Sequence, residues 1–149
     1  MATFAVPNPW GRWSARAAAA FFAAFALFQI ALALGAPLGF MAWGGQSAVL
    51  PDALRGSSGG AAAVLLVASC VMLVRSRDWG RSLPRWPVFG LNLLFAAYLL
   101  LNTAGNLVSK SQAERLVMGG ATLAGAGLCI LAAALARPVK AADQLSQRM

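Results

Sequence analysis

The chain has 149 residues, of which 60% are hydrophobic and only 11% charged, with a formal net charge of +8 and no histidine. Mean hydropathy is +0.69. Soluble domains average about 25% charged residues, so this composition excludes an ordinary soluble enzyme, and the lack of imidazole excludes histidine-based catalysis or metal ligation.

In chain order, four apolar runs without internal charge, about 17–36, 58–74, 88–107 and 116–136, predict membrane-crossing helices at about 15–36, 58–75, 87–107 and 112–136. Each approaches the ~20 residues that span a ~30 Å hydrocarbon core. Alternating strands are absent, and lipid demands that backbone groups be satisfied internally, so the expected fold is all-α, an antiparallel up-down bundle of four transmembrane helices forming a single domain. Arg12 and Arg16 ahead of the first run imitate a secretory leader. That run is longer than a leader's apolar region and three more follow, so it reads as a retained helix.

Between the first two helices lies a long loop, 37–57, which should begin where Gly35-Ala36-Pro37 ends helix one. Its Trp43-Gly44-Gly45-Gln46 stretch joins an aromatic plate, a turn and an amide. Asp52 and Arg55 are placed to pair locally, and Ser57 or Ser58 to cap helix two. The short loop 76–86 is rich in arginine, and Pro87 suits the first turn of helix three. "SQAE", Ser111 to Glu114, fits a capping box at the start of helix four, with Ser111 taking a backbone N–H and Glu114 reaching back. Arg137-Pro138 should end that helix.

Lysine and arginine set the orientation. Nine fall in the N-terminal segment, in or beside the 76–86 loop, and in the tail (Arg12, Arg16, Arg75, Arg77, Arg81, Arg85, Arg137, Lys140, Arg148), against Arg55, Lys110 and Arg115 elsewhere. Both termini are therefore expected in the cytoplasm. Trp10, Trp13, Trp79 and Trp86 flank the same basic segments, at the expected headgroup level. The positive charge is a topology signal; no module or soluble surface points to nucleic acid.

Reactive groups are sparse. The four acids, Asp52, Asp78, Glu114 and Asp143, all fall outside the uncharged apolar runs, whereas an ion or proton path usually needs an ionisable group within the membrane. Cys70 and Cys129 read as small buried hydrophobes. No metal, cofactor or catalytic constellation is found. "GGATLAGAG", 119–127, lacks the strand a nucleotide loop requires; Gly120, Ala124 and Gly127 share an arc of about 60° and predict a close helix-packing stripe. On helix three, Asn92, Tyr98, Asn102, Thr103 and Asn106 fall within about 140° and should face inward. Gln29, Asn102 and Thr122 share a depth and form either interhelical ties or the polar floor of a pocket. A lid of Trp43, Gln46, Asp52, Arg55 and Glu114 would lie above them.

"GAPLGFMAWGG", "VLPDALR" and "SKSQAERLVM" together resemble an uncharacterised family of small four-span bacterial membrane proteins. The resemblance implies a bacterial inner-membrane setting and carries no activity or site residue with it. The primary functional expectation is a non-enzymatic interaction or accessory subunit, with the lipid bilayer and a membrane-protein partner or second copy as its surroundings. The alternative is a binder or carrier of a small apolar or amphipathic ligand in a pocket open to the outer face, with Gln29, Trp43, Gln46, Asp52, Arg55, Tyr98, Asn102, Asn106, Glu114 and Thr122 as the surface.

Overall fold

The computed structural model describes residues 9–76 and 85–135. Among the described residues there are four long helices: α1 (Pro9–Ala33), α2 (Asp52–Ser76), α3 (Arg85–Leu107) and α4 (Gly119–Leu135), the last entered through a π-helical turn, Glu114–Met118. Each is long and apolar enough to cross a membrane. Expectations about the 76–86 loop and the tail, including Arg77, Asp78, Trp79, Arg81, Arg137, Pro138, Lys140, Asp143 and Arg148, fall largely outside the described residues.

Helix ends follow local chemistry. Pro9 occupies the first position of α1, where a missing N–H costs nothing. The helix stops through a Schellman arrangement: Ala36 N–H donates to the Ala31 carbonyl at 2.9 Å and Gly35 N–H to that of Leu32 at 3.0 Å. Gly35 sits at φ +89°, open to glycine at little cost.

Helix α2 begins at Asp52, six residues before the sequence-based boundary. The Pro51 carbonyl accepts N–H groups from Leu54 and Arg55. Glycines 56, 59 and 60 weaken the helical signal, by about 1 kcal/mol each relative to alanine, which hides that first turn and a half. Ser57 and Ser58 are consequently not caps. Ser57 donates to the Ala53 carbonyl within the helix, and Ser58 is fully buried.

One core joins all four helices: Ala18, Ala19, Phe22 and Ala26 of α1; Leu65, Ala68 and Met72 of α2; Phe95, Ala96 and Leu99 of α3; and Ala126 and Cys129 of α4. Cys70 faces outward, contrary to expectation, while Cys129 is buried. Helix α1 packs most extensively on α2, α3 on α4, and the α2–α3 seam is the sparsest of the ring.

The packing stripe on α4 requires correction. Gly120, Ala124 and Gly127 are exposed, and a Cβ added to Gly120 or Gly127 would meet open space. The close approach is made by Gly125, where a Cβ would run into the Phe21 ring and come within 3.0 Å of Leu99. Side-chain bonds from Ser69 to the Ala19 carbonyl (2.9 Å) and from Asn92 to the Cys129 carbonyl (3.1 Å) tie neighbouring helices. Arg75 reaches the Ala132 and Ala133 carbonyls at the end of α4, each at 3.3 Å. That arginine serves the fold as well as marking topology.

Candidate functional site

The 34–51 segment folds back over the ends of the helices. Leu32, Ala42 and Leu50 are buried together, with Phe28, Leu38 and Leu54 packed on them, so the segment has a small apolar core of its own. Gly39 N–H donates to the Ala48 carbonyl at 2.8 Å, and a Cβ at Gly39 would collide with the backbone at Ser47, so two strands of the loop approach as only glycine permits. Trp43, Gly44 and Gly45 all adopt positive φ (54°, 85° and 65°). For the glycines this is ordinary; for an aromatic side chain it is strain on the order of 1 kcal/mol.

Three latches hold this strained corner. Trp43 Nε1–H donates to Ser58 Oγ at 2.9 Å. Gly44 N–H donates to Glu114 Oε2 at 2.9 Å. Ser111 Oγ donates to the Phe40 carbonyl at 2.9 Å, while a Cβ on Gly45 would crowd Ser111.

The capping box at 111–114 is half formed. Ser111 Oγ accepts the Glu114 N–H at 3.3 Å as expected, but Glu114 does not reach back. The Ser111 N–H instead goes to Ser109 Oγ at 3.1 Å, and Glu114 Oε2 accepts the Ser109 hydroxyl in a short bond. The carboxylate has been diverted to the loop. A π-helical turn begins at this residue, a local widening that often marks functional positions. Although placed outside the apolar runs on sequence, Glu114 is 93% buried and opens the fourth apolar helix. The partial positive charge of the helix start suits a carboxylate there.

Beneath the loop lies a cavity of about 160 Å³ walled by all four helices. Seven of the ten residues named from sequence line it: Gln29, Trp43, Tyr98, Asn102, Asn106, Glu114 and Thr122. Gln46 lines a neighbouring open hollow with Lys110 and Glu114. Asp52 and Arg55 line neither. They pair with each other at 3.3 Å, the Asp52 side chain 98% exposed, and the Arg55 guanidinium lies over Gly35. Sequence reasoning missed the apolar wall, Phe21, Phe25, Leu65, Leu99 and Met118, and also Ser58 and Ser109. The paired serines of "SKSQAE" were the available sign of the second.

The polar wall is partly a tie. Thr103 and Thr122 hydroxyls lie 2.9 Å apart, and Asn106 Nδ2 donates to Thr122 Oγ1 at 3.4 Å. Asn102 Nδ2 instead donates to the Tyr98 carbonyl of its own helix. Gln29 Oε1 is buried and meets no donor among the described residues. An unmet buried acceptor costs about 1–3 kcal/mol.

Among the described residues no group of three or more potential metal-ligating side chains is present. Comparison of the chain with protein-family models, with curated proteins and with solved structures returned no match.

Proposed function

We propose that this chain is a multi-pass, non-enzymatic protein of the bacterial inner membrane, with both termini cytoplasmic, that holds a small apolar or amphipathic molecule in the cavity under its 34–51 loop. The observation that carries the binding role is the convergence of a strained tryptophan, a buried carboxylate and an unmet amide oxygen on one aromatic-walled hollow. Strain and unmet polar groups persist where the surroundings impose them, and they concentrate at functional positions.

The membrane setting is supported by the exterior, on which Leu27, Leu34, Leu94, Leu101, Val108 and Leu116 are each more than half exposed. So continuous an apolar surface suits lipid rather than water. Up-down order is supported by the rungs: residue 19 meets 69, residue 92 meets 129 and residue 103 meets 122. The inner-membrane setting leans on the family resemblance, and the orientation on the lysine and arginine distribution.

The accessory-subunit reading retains one favouring observation. The exposed Gly120, Ala124 and Gly127 form a smooth face on which a partner helix or second copy would pack. Non-covalent mass spectrometry of protein purified in mild detergent separates the two readings. A small molecule retained by the wild type and by Arg81→Ala but lost from Trp43→Ala and Asn102→Leu supports the cavity. A retained polypeptide, with no small molecule, supports the subunit. Topology is tested by single cysteines at 47, 82, 109 and 146 in a chain lacking Cys70 and Cys129, where outside reagent should label only 47 and 109.

A further inference from the structure

We propose that the cavity selects a small organic ammonium ion carrying an apolar group. The inference rests on the binding role argued above and deepens it by naming the ligand class.

The wall's oxygens are mostly unclaimed acceptors, and its donors without a protein acceptor among the described residues are the Gln29 amide nitrogen and the Tyr98 hydroxyl, both neutral. Trp43 spends its N–H on Ser58. Thr122 donates to its own helix at Met118 and accepts from α3. The amide nitrogens of Asn102 and Asn106 are turned to protein acceptors, and neither Oδ1 takes a donor among the described residues. Nor does Gln29 Oε1 among those residues. Glu114 commits Oε2 to Gly44 and Ser109, and its Oε1 takes no donor among the described residues while the side chain lines both the cavity and the hollow beside it. A carboxylate and amide oxygens only accept. The complement of such a wall is a group rich in N–H donors.

Charge gives the same answer. Glu114 is the cavity's carboxylate, and among the described residues neither lysine nor arginine lines the chamber. Lys110, four residues earlier in the connecting loop, is exposed and lines the outer hollow. A buried carboxylate lacking a counter-ion attracts a cation strongly, because the surrounding apolar wall screens it weakly. Trp43, Tyr98, Phe21 and Phe25 supply aromatic faces, which favour cations and exclude anions. The remaining surface, Leu65, Leu99 and Met118, suits an apolar substituent. The size matches: hollows of ~150 Å³ take up benzene.

The test uses the full chain in an uncharged maltoside detergent, with empty micelles subtracted, and three probes sharing one ring: benzylammonium, benzyl alcohol and benzoate. Titration calorimetry should show benzylammonium binding about tenfold or more tightly than benzyl alcohol, and benzoate not binding. Glu114→Gln should abolish that preference while leaving benzyl alcohol bound, since the amide oxygen can still accept from Gly44. Ala61→Phe, which fills the chamber from α2, should remove both probes. Equal or tighter binding of benzyl alcohol or benzoate by the wild type overturns the ammonium proposal and leaves the cavity role standing; this comparison needs no variant to fold. A preference that survives Glu114→Gln also overturns it. If no probe binds, the ammonium proposal and the cavity role fall together.

Discussion

Asn92 and Asn102 lie on one face of α3 at opposite ends of the bundle, and their amides are used differently. Asn92 is fully buried and donates across to the Cys129 carbonyl of α4. Asn102 donates to Tyr98 of its own helix and borders the cavity. The contrast extends to the surroundings. Away from the 34–51 loop, Ala15, Ala18, Phe22, Ala68, Met72, Cys129 and Ala132 are all at 0% exposure and the helices close on one another. Beneath the loop, the same helices surround a hollow: Thr103 and Asn106 still reach Thr122 across α3 and α4, while Asn102 bonds within its own helix and Gln29 Oε1 meets no donor among the described residues. Polar residues in a membrane bundle therefore do two jobs, and the acceptor's position tells them apart: a bond that crosses to another helix is a tie, and one that folds back leaves the group available.

The closed half is broken most severely at Gly125. Leucine there drives a side chain into Phe21 and Leu99, and overpacking of this kind costs about 1–3 kcal/mol. Thermal unfolding in detergent should show a large fall for Gly125→Leu. Gly120→Leu and Gly127→Leu point into open space and should stay within about 0.5 kcal/mol of the parent. Destabilisation by the latter pair, and not by Gly125→Leu, would invert the packing described for α4.

At the open half the largest effect belongs to Glu114→Ala. It removes the acceptor shared by Gly44 and Ser109, and hydrogen bonds to charged groups contribute about 1.5–3 kcal/mol. The loss should be local: faster proteolysis at 43–46, with cleavage elsewhere unchanged. A loop as resistant as in the parent would show that its own apolar core, not the carboxylate, holds it down.

The two asparagines themselves give the direct comparison. Asn92→Leu cuts an interhelical tie and should cost about 0.6 kcal/mol, the average for such bonds in membranes, and at most about 1.7 kcal/mol. Asn102→Leu removes only a bond within α3 and should cost less, or nothing, in the same melting experiment. Equal losses would erase the distinction between tie and available group.

The four helices were legible because length and hydropathy suffice for them, and the polar face of α3 because lipid penalises outward amides. The α4 stripe was misread for a physical reason. Hydrophobicity does not choose a buried face when lipid is as apolar as the core, so small residues alone left two faces of α4 equivalent. Thr122 resolved it: Gly120 is two residues away, about 200° around the helix, and both cannot face inward. The start of α2 was hidden by its glycines. The diversion of Glu114 from its cap to the loop needed Gly44 at positive φ, seventy positions earlier in the chain, and no local pattern records that pairing.

The smallest effect is expected where the open half meets water. Asp52 and Arg55 were grouped on sequence with the lid, and they stand outside it as a local pair. Asp52→Asn removes a charge that is almost wholly solvated, and exposed pairs of this kind contribute little, so neither melting nor probe binding should change measurably. Arg55 differs from its partner. Its guanidinium packs over Gly35, at the C-terminal end of α1, where the helix dipole places partial negative charge. A cation there stabilises a helix by about 0.3–1 kcal/mol, reduced here because the side chain is one-third exposed. Arg55→Ala should therefore lower the melting temperature slightly, and Arg55→Lys should recover part of that loss through charge. If Asp52→Asn and Arg55→Ala shift the melt equally, the pair itself matters and the contact with Gly35 does not. If Arg55→Ala also weakens benzylammonium binding, the lid reaches farther than the cavity wall and Arg55 belongs to it.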